Sequence, residues 1–180
     1  MVYCFLADGF EETEAIAPVD MLKRANVSVV TVGVKKRVIT GSHSLHVTCD
    51  ITTDEFIPDG DLEGIILPGG MPGTLNLDED ETVHKAIDFA AENKKLVCAI
   101  CAAPSILGRK GLLFGKKAIA FPGFEKELQG AIIAEDYVVK DENFITAKGA
   151  GVAIDFGLEI VAALKGKEKS EEIRAQIQCK

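Results

Sequence analysis

"KKLVCAICAAPSILG", residues 94–108, starts as an apolar run and breaks into Ala102, Ala103 and Pro104 straight after its second cysteine. A short, continuously apolar run suits a strand buried on both faces of a parallel sheet. Pro104 lacks an N–H and has a preset φ, so it fits the first turn of a helix and disfavours the α region at Ala103. The segment therefore predicts strand, sharp turn and helix, with Cys101 on the turn. The same rhythm recurs along the chain. "VYCFLADG" precedes "EETEAIAPVDMLKRAN", "GIILPGG" precedes "DETVHKAIDFAAENK", "KAIAFPG" precedes "EKELQG", and "NFITAKGAG" precedes "VAIDFGLEIVAALKG". Such units predict a doubly wound α/β fold: a mostly parallel sheet, helices on both faces, and ligands outside the carboxyl ends of the strands.

One stretch departs from this rhythm. "VSVVTVGVKKRVITGSHSLHVTCDITTDE" is β-rich without helices and predicts an antiparallel excursion or edge strands. The tail "GKEKSEEIRAQIQCK" predicts a last surface helix with Ile173 and Ile177 toward the sheet and Cys179 as an exposed, frayed thiol. No linker or repeat interrupts the chain, so residues 1–180 are expected to form a single domain.

With 47% hydrophobic and 27% charged residues, the chain can bury a core without staples. Its 28 acidic against 20 basic residues give a net charge of -8, and no basic cluster suits nucleic acid or an anionic membrane. The start lacks the pattern of a secretory leader, and no apolar run approaches the about 20 residues of a membrane span. A soluble, cytoplasmic protein is expected. Five scattered cysteines, an odd number, do not make a disulfide framework.

If Cys98 and Cys101 both lay along the strand, three steps would separate their Cα atoms by roughly 10 Å and send the thiols to opposite faces, beyond the about 7 Å a disulfide allows. A zinc clip lacks a second ligand pair, and His43, His46 and Cys49 read as edge-strand residues, so no metal is expected. Cys98 reads as a core residue. Cys101, at the carboxyl edge beside free amides and a helix start, reads as a nucleophile with a lowered thiol pKa, against the plainer reading of a core thiol at a strand end. The ends of other strands offer its partners. Glu14 opens the first helix, and Pro18, unable to donate to the Glu14 carbonyl, would loosen that turn and aim Glu14 inward, where burial raises its pKa. Gly69 permits close approach, and the Gly70 and Ala102 amides could form an oxyanion hole.

Together, "EETEAIAPVDMLKRA", "ILPGGMPG", "AICAAPSILG" and "KGAGVAIDFGLEIVAALKGKEKSEEI" resemble the ThiJ/PfpI superfamily over essentially the whole chain, in its DJ-1 branch and nearest the bacterial YajL-type members. The resemblance implies a flavodoxin-like homodimer with Cys101 on a nucleophile elbow, Glu14 as its acidic partner, and Gly70 and Ala102 as amide donors. It implies cofactor-free chemistry on small aldehydes or dicarbonyls: methylglyoxal or glyoxal to the hydroxy acid, or repair of early glycation adducts. The alternative it implies is an oxidative-stress sensor or chaperone-like protein built on a Cys101 sulfinate. The protease branch has histidine directly after the nucleophile; Ala102 stands there, which argues against a peptidase. The related amidotransferases need a late His-x-Glu pair, and no histidine follows His84. Two departures concern the pocket. Phe121 occupies the position of a histidine in the animal proteins, where it would wall the pocket and keep water from the sulfur, and Gly149-Ala150-Gly151 replaces Gly-Pro-Gly.

Overall fold

The computed structural model describes residues 1–179. Its core is laid down by alternation. In β1 (Val2–Leu6), Val2, Cys4 and Leu6 join one apolar cluster while Phe5 joins another on the opposite face. The other main strands are β2 (Val29–Gly33), β5 (Ile51–Thr52), β6 (Gly64–Leu67), β7 (Leu96–Ile100), β10 (Val138–Asp141) and β11 (Phe144–Ala147). They form a seven-stranded sheet in the order β10-β11-β7-β6-β1-β2-β5. Every neighbouring pair is parallel except β10 with β11.

Helices α1 (Glu12–Arg24), α5 (Ala153–Lys165) and α6 (Lys167–Gln176) cover one face. Helices α2 (Gly73–Asp78), α3 (Glu81–Glu92) and α4 (Pro104–Arg109) contribute to the cluster on the other. In α3 the apolar residues Val83, Ala86, Ile87 and Ala90 recur at helical spacing, and Asp80 caps the start by accepting the amides of Thr82 and Val83. Strand order reverses about β1, so the crevice at the carboxyl ends of β1 and β6 is the place where such folds bind ligands. Among the described residues, no helix is long and apolar enough to cross a membrane.

The β-rich stretch divides as its composition suggests. β3 (Val38–Thr40) and β4 (His46–Thr48) make an antiparallel excursion outside the main sheet, whereas β2 and β5 stay within it as parallel strands.

Four local expectations are corrected. Pro18 does not loosen α1, which runs unbroken through it; the proline is buried where α5 crosses, and a Cβ on Gly157 would lie 2.7 Å from the Pro18 Cα. "KAIAFPG" yields only β8 (Lys117–Ala118), paired with β9 (Ile132–Ile133) in a separate two-stranded sheet, and "EKELQG" yields one 3₁₀ turn, Glu125–Glu127. The place beside β11 is already taken by β10, so this segment is held by side chains instead: the Lys117 amide donates to the Asp141 carboxylate and the Ile119 amide to Thr146 Oγ1. Helix α6 packs on α5 rather than directly on the sheet, with Ile173 fully buried and Ser170 Oγ donating to the Leu158 carbonyl. Cys179 is half-buried, its Sγ 3.5 Å from Arg174 Nη1, not an exposed thiol.

Candidate active site

β7 ends at Ile100, and Cys101 takes φ 65°, a left-handed conformation that a side chain bearing a Cβ adopts at a cost of roughly 1–2 kcal/mol. Both its backbone groups are pinned: its amide donates to Ala147 O (2.9 Å), and its carbonyl accepts from the Phe121 amide (2.8 Å). Ala103 is helical (φ -63°, ψ -28°) despite preceding Pro104, so the bend is made at Cys101 and not by an extended Ala103. The left-handed turn also revises the face expected for the thiol. Cys101 packs against the same apolar cluster as buried Cys98 instead of pointing to the opposite side.

Glu14 reaches this elbow from the first turn of α1. Glu11 caps the helix and accepts the Glu14 amide (2.8 Å), which fixes the turn without help from Pro18. The Glu14 carboxyl is 1% exposed; its Oε2 accepts from the Gly69 amide (2.9 Å), the Ala150 amide is directed at it, and it hydrogen-bonds the Cys101 thiol. Gly69 sits in the crease between the two groups. A Cβ there would lie 2.7 Å from Cys101 Cβ and 2.7 Å from Glu14 Oε2.

The electrostatics follow from burial. Desolvation pushes the Glu14 carboxyl up to about 7 despite the lowering by the thiol and the two amides. The Cys101 thiol is pushed up to about 12, first by burial and then by the charge and hydrogen bond of Glu14, against lowering by the Gly70 and Ala102 amides. Against the lowering expected of a helix start, burial and the Glu14 carboxyl beside the sulfur push the thiol up. The two groups can hold one negative charge between them, so a thiolate requires the proton to sit on Glu14.

Beside the elbow, Phe121, Gly149 and Ala150 line an open cleft of about 440 Å³. Phe121 is 46% exposed and does not seal the sulfur from water as expected; its ring lies against Gly149, where a Cβ would approach to 3.3 Å. The elbow thus gathers Cys101, Glu14, Gly69, Gly70, Ala102 and Ala150, with Phe121 and Gly149 at its open side.

His43, His46 and Cys49 do not converge. Cys49 is buried, and His46 meets the Thr40 hydroxyl, its Nδ1 3.0 Å from Oγ1. His43 lies against Glu12, whose buried carboxylate accepts from the His43 amide (2.8 Å), the Ser42 hydroxyl (3.2 Å) and the Leu45 amide (3.4 Å) and meets His43 Nδ1 at 2.9 Å. Among the described residues, Glu11, Glu12 and His43 are the one grouping of possible metal-ligand atoms, within 4.8 Å of one another. With the Glu12 oxygens already occupied by donors, this grouping serves as a clasp for the loop between β3 and β4. Nothing in the residue order around Glu12 signals it, because the donors come from about 30 residues downstream.

The family profile described as DJ-1/PfpI matches residues 1–163. The chain belongs to the DJ-1/PfpI family. Within it, the DJ-1 branch is the near neighbourhood. The Parkinson disease protein 7 homolog of Danio rerio is 31% identical over 176 residues, covering 96% of this chain and 93% of that protein. A protein of Pyrococcus abyssi named a deglycase is 32% identical over 165 residues, covering 88% and 96%. The crystal structure of a cysteine-to-alanine variant of a DJ-1 superfamily protein from Salmonella typhimurium superposes with a TM-score of 0.94 at 31% identity, covering 99% of this chain and 98% of that one. The flavodoxin-like fold expected from the sequence is thereby established.

Proposed function

We propose that this protein is a cofactor-free, cysteine-dependent enzyme of deglycase or glyoxalase type, in a DJ-1-like stress-response role, acting on small reactive dicarbonyls. The observation that carries the reading is the pairing of a thiol on a left-handed strand-to-helix turn with a buried carboxyl whose pKa lies near 7. A carboxyl so placed can both give and take a proton at neutral pH.

In the proposed cycle the Cys101 proton passes to Glu14 as Sγ attacks the aldehyde carbon of methylglyoxal. The Gly70 and Ala102 amides face the developing oxyanion, which then receives the Glu14 proton to give a hemithioacetal. Glu14 next removes the proton from that carbon and returns it to the neighbouring ketone carbon, while the hemithioacetal hydroxyl gives up its proton to the ketone oxygen. The first carbon is oxidised and the second reduced, so no outside oxidant is needed. Water hydrolyses the resulting lactoyl thioester and frees the thiol. The family resemblance supports a cytoplasmic homodimer as the working unit, with residues 1–180 as one domain.

A second reading, a redox sensor, rests on the same donors: a protonated Glu14 and two amides would hold the oxygens of a Cys101 sulfinate formed by two equivalents of peroxide. Lactate measured by a stereospecific assay, in buffer free of amines and thiols, separates the two. Wild type should form lactate from methylglyoxal and Cys101→Ser should not; absent lactate from a wild-type protein whose Cys101 oxidises readily would give the site to the sensor.

A further inference from the structure

The cleft lies beside the elbow and is lined by neither Cys101 nor Glu14, so methylglyoxal held at the sulfur would leave it free, and its lining is uneven. Phe121, Pro122 and Tyr137 make apolar walls, and Lys148 is the one charged side chain among the residues that line it. Lys148 follows Ala147, whose carbonyl pins the Cys101 amide, and lies two residues before Ala150, whose amide is directed at Glu14. The lysine is half-buried, its Nζ 4.8 Å from the centre of the Tyr137 ring, and among the described residues no carboxylate lies within ion-pair distance of it. Lys36, Lys85, Lys110, Lys116 and Lys169 each find an acid, whereas Lys148 combines the lack of one with a half-buried place in the cleft wall. A cation stacked on an aromatic face keeps its outer side free for an anion.

We propose that Lys148 is a specificity-determining residue, and that the cleft accepts 1,2-dicarbonyls whose end remote from the aldehyde carries a carboxylate or phosphate. This rests on the Cys101 reading above. For 4,5-dioxopentanoate the chemistry balances as before: the aldehyde carbon becomes a carboxylic acid, the adjacent ketone becomes a hydroxyl, and water supplies the added oxygen, giving 2-hydroxyglutarate.

The test compares 4,5-dioxopentanoate with uncharged 2-oxopentanal, in wild type, Lys148→Met and Lys148→Arg. Wild type should prefer the anion, and Lys148→Met should lower the anionic-to-neutral ratio of kcat/KM by about tenfold or more, the size of one lost hydrogen bond to a charge. Lys148→Arg should keep the preference, and added salt should erode it. A ratio that is the same in wild type and Lys148→Met overturns the proposal. So that a failure of turnover is distinguished from a failure of the subsite, the same ratio is read from alkylation of Cys101 by 3-maleimidopropionate against N-ethylmaleimide, located by peptide mass mapping. Selective labelling without turnover would retain the Lys148 subsite and remove the enzyme reading; labelling without selectivity would remove the subsite.

Discussion

Glu12 and Glu14 stand two residues apart on the first turn of α1, and the fold covers both, leaving 6% and 1% of each exposed. Their carboxyls nevertheless move in opposite directions, Glu12 down to about 2 and Glu14 up to about 7. Burial raises both. At Glu12 it is outweighed by the His43 ring and by the amides of Glu12 itself, His43 and Leu45. At Glu14 the thiol and the amides of Gly69 and Ala150 are too few to compensate. Glu14 is packed much more deeply than Glu12, so the depth of burial and the number of donors aimed at a carboxyl together set its charge. One residue becomes a permanent anion that fastens a loop, and the other a proton carrier facing a sulfur.

The comparison breaks most severely if Glu14 is not that carrier. Glu14→Gln keeps a hydrogen-bonding amide but cannot cycle a proton, so lactate formation should fall by about 10² to 10⁴-fold, and the dependence of rate on a group near pH 7 should vanish. The thiol should respond the opposite way. Removing the Glu14 charge takes away two of the causes that hold Cys101 high, so alkylation at pH 8 should speed up as turnover collapses. Stability gives an independent measure. A folded pKa of about 7 against an ordinary 4.5 means that the Glu14 contribution is fully present below 4.5 and is lost as pH rises through 7. Denaturant unfolding from pH 4 to pH 8 should show a loss of about 3 kcal/mol in wild type that is missing in Glu14→Gln. Turnover retained in Glu14→Gln would remove this residue from the mechanism.

Glu12 sharpens the contrast from the other side. Its depressed pKa contributes stability that is present above 4.5 and lost as pH falls through about 2. Glu12→Gln should cost about 2 kcal/mol at pH 7, from a charged acceptor lost among several donors, and should flatten the acid limb of the unfolding profile. The pH–rate profile should keep its group near pH 7, because that belongs to Glu14. A profile that moved with Glu12→Gln would show that the two carboxyls titrate together.

Phe121→His carries the smallest effect. The ring is 46% exposed, so the substitution should change stability by no more than about 0.5 kcal/mol, in contrast to the penalty a sealed pocket wall would impose. A histidine on the open side of the cleft should raise lactate formation by well under the about 10²-fold of a positioned general acid. A larger gain would mean that Glu14 does not handle the proton transfers alone.

Much of this architecture was legible before any coordinates. Continuous apolar runs at "GIILP" and "KLVCAI" mark strands buried on both faces, and β6 and β7 are those strands. Helical spacing in residues 12–24 and 81–92 marks the helices that cover them. Pro104 following two alanines marks a bend after the strand, and with it the position of Cys101 on the turn. These features are local, and local sterics and periodicity decide them. The short pieces were less readable. β8, β9 and β10 are two to four residues long, and which of them occupies the sheet edge depends on competition for one row of backbone groups beside β11.

The sequence by itself determined the doubly wound layout and the turn that carries Cys101, and pointed to Glu14 by family resemblance, since the Pro18 argument for its inward aim fails in the structure. Only the tertiary structure decided their charge. The groups that set it come from far along the chain: Gly69 lies 55 residues from Glu14, and His43 lies 31 from Glu12. Which carboxyl receives enough donors, and whether a thiol meets amides alone or an acid as well, is fixed when distant segments pack and exclude water.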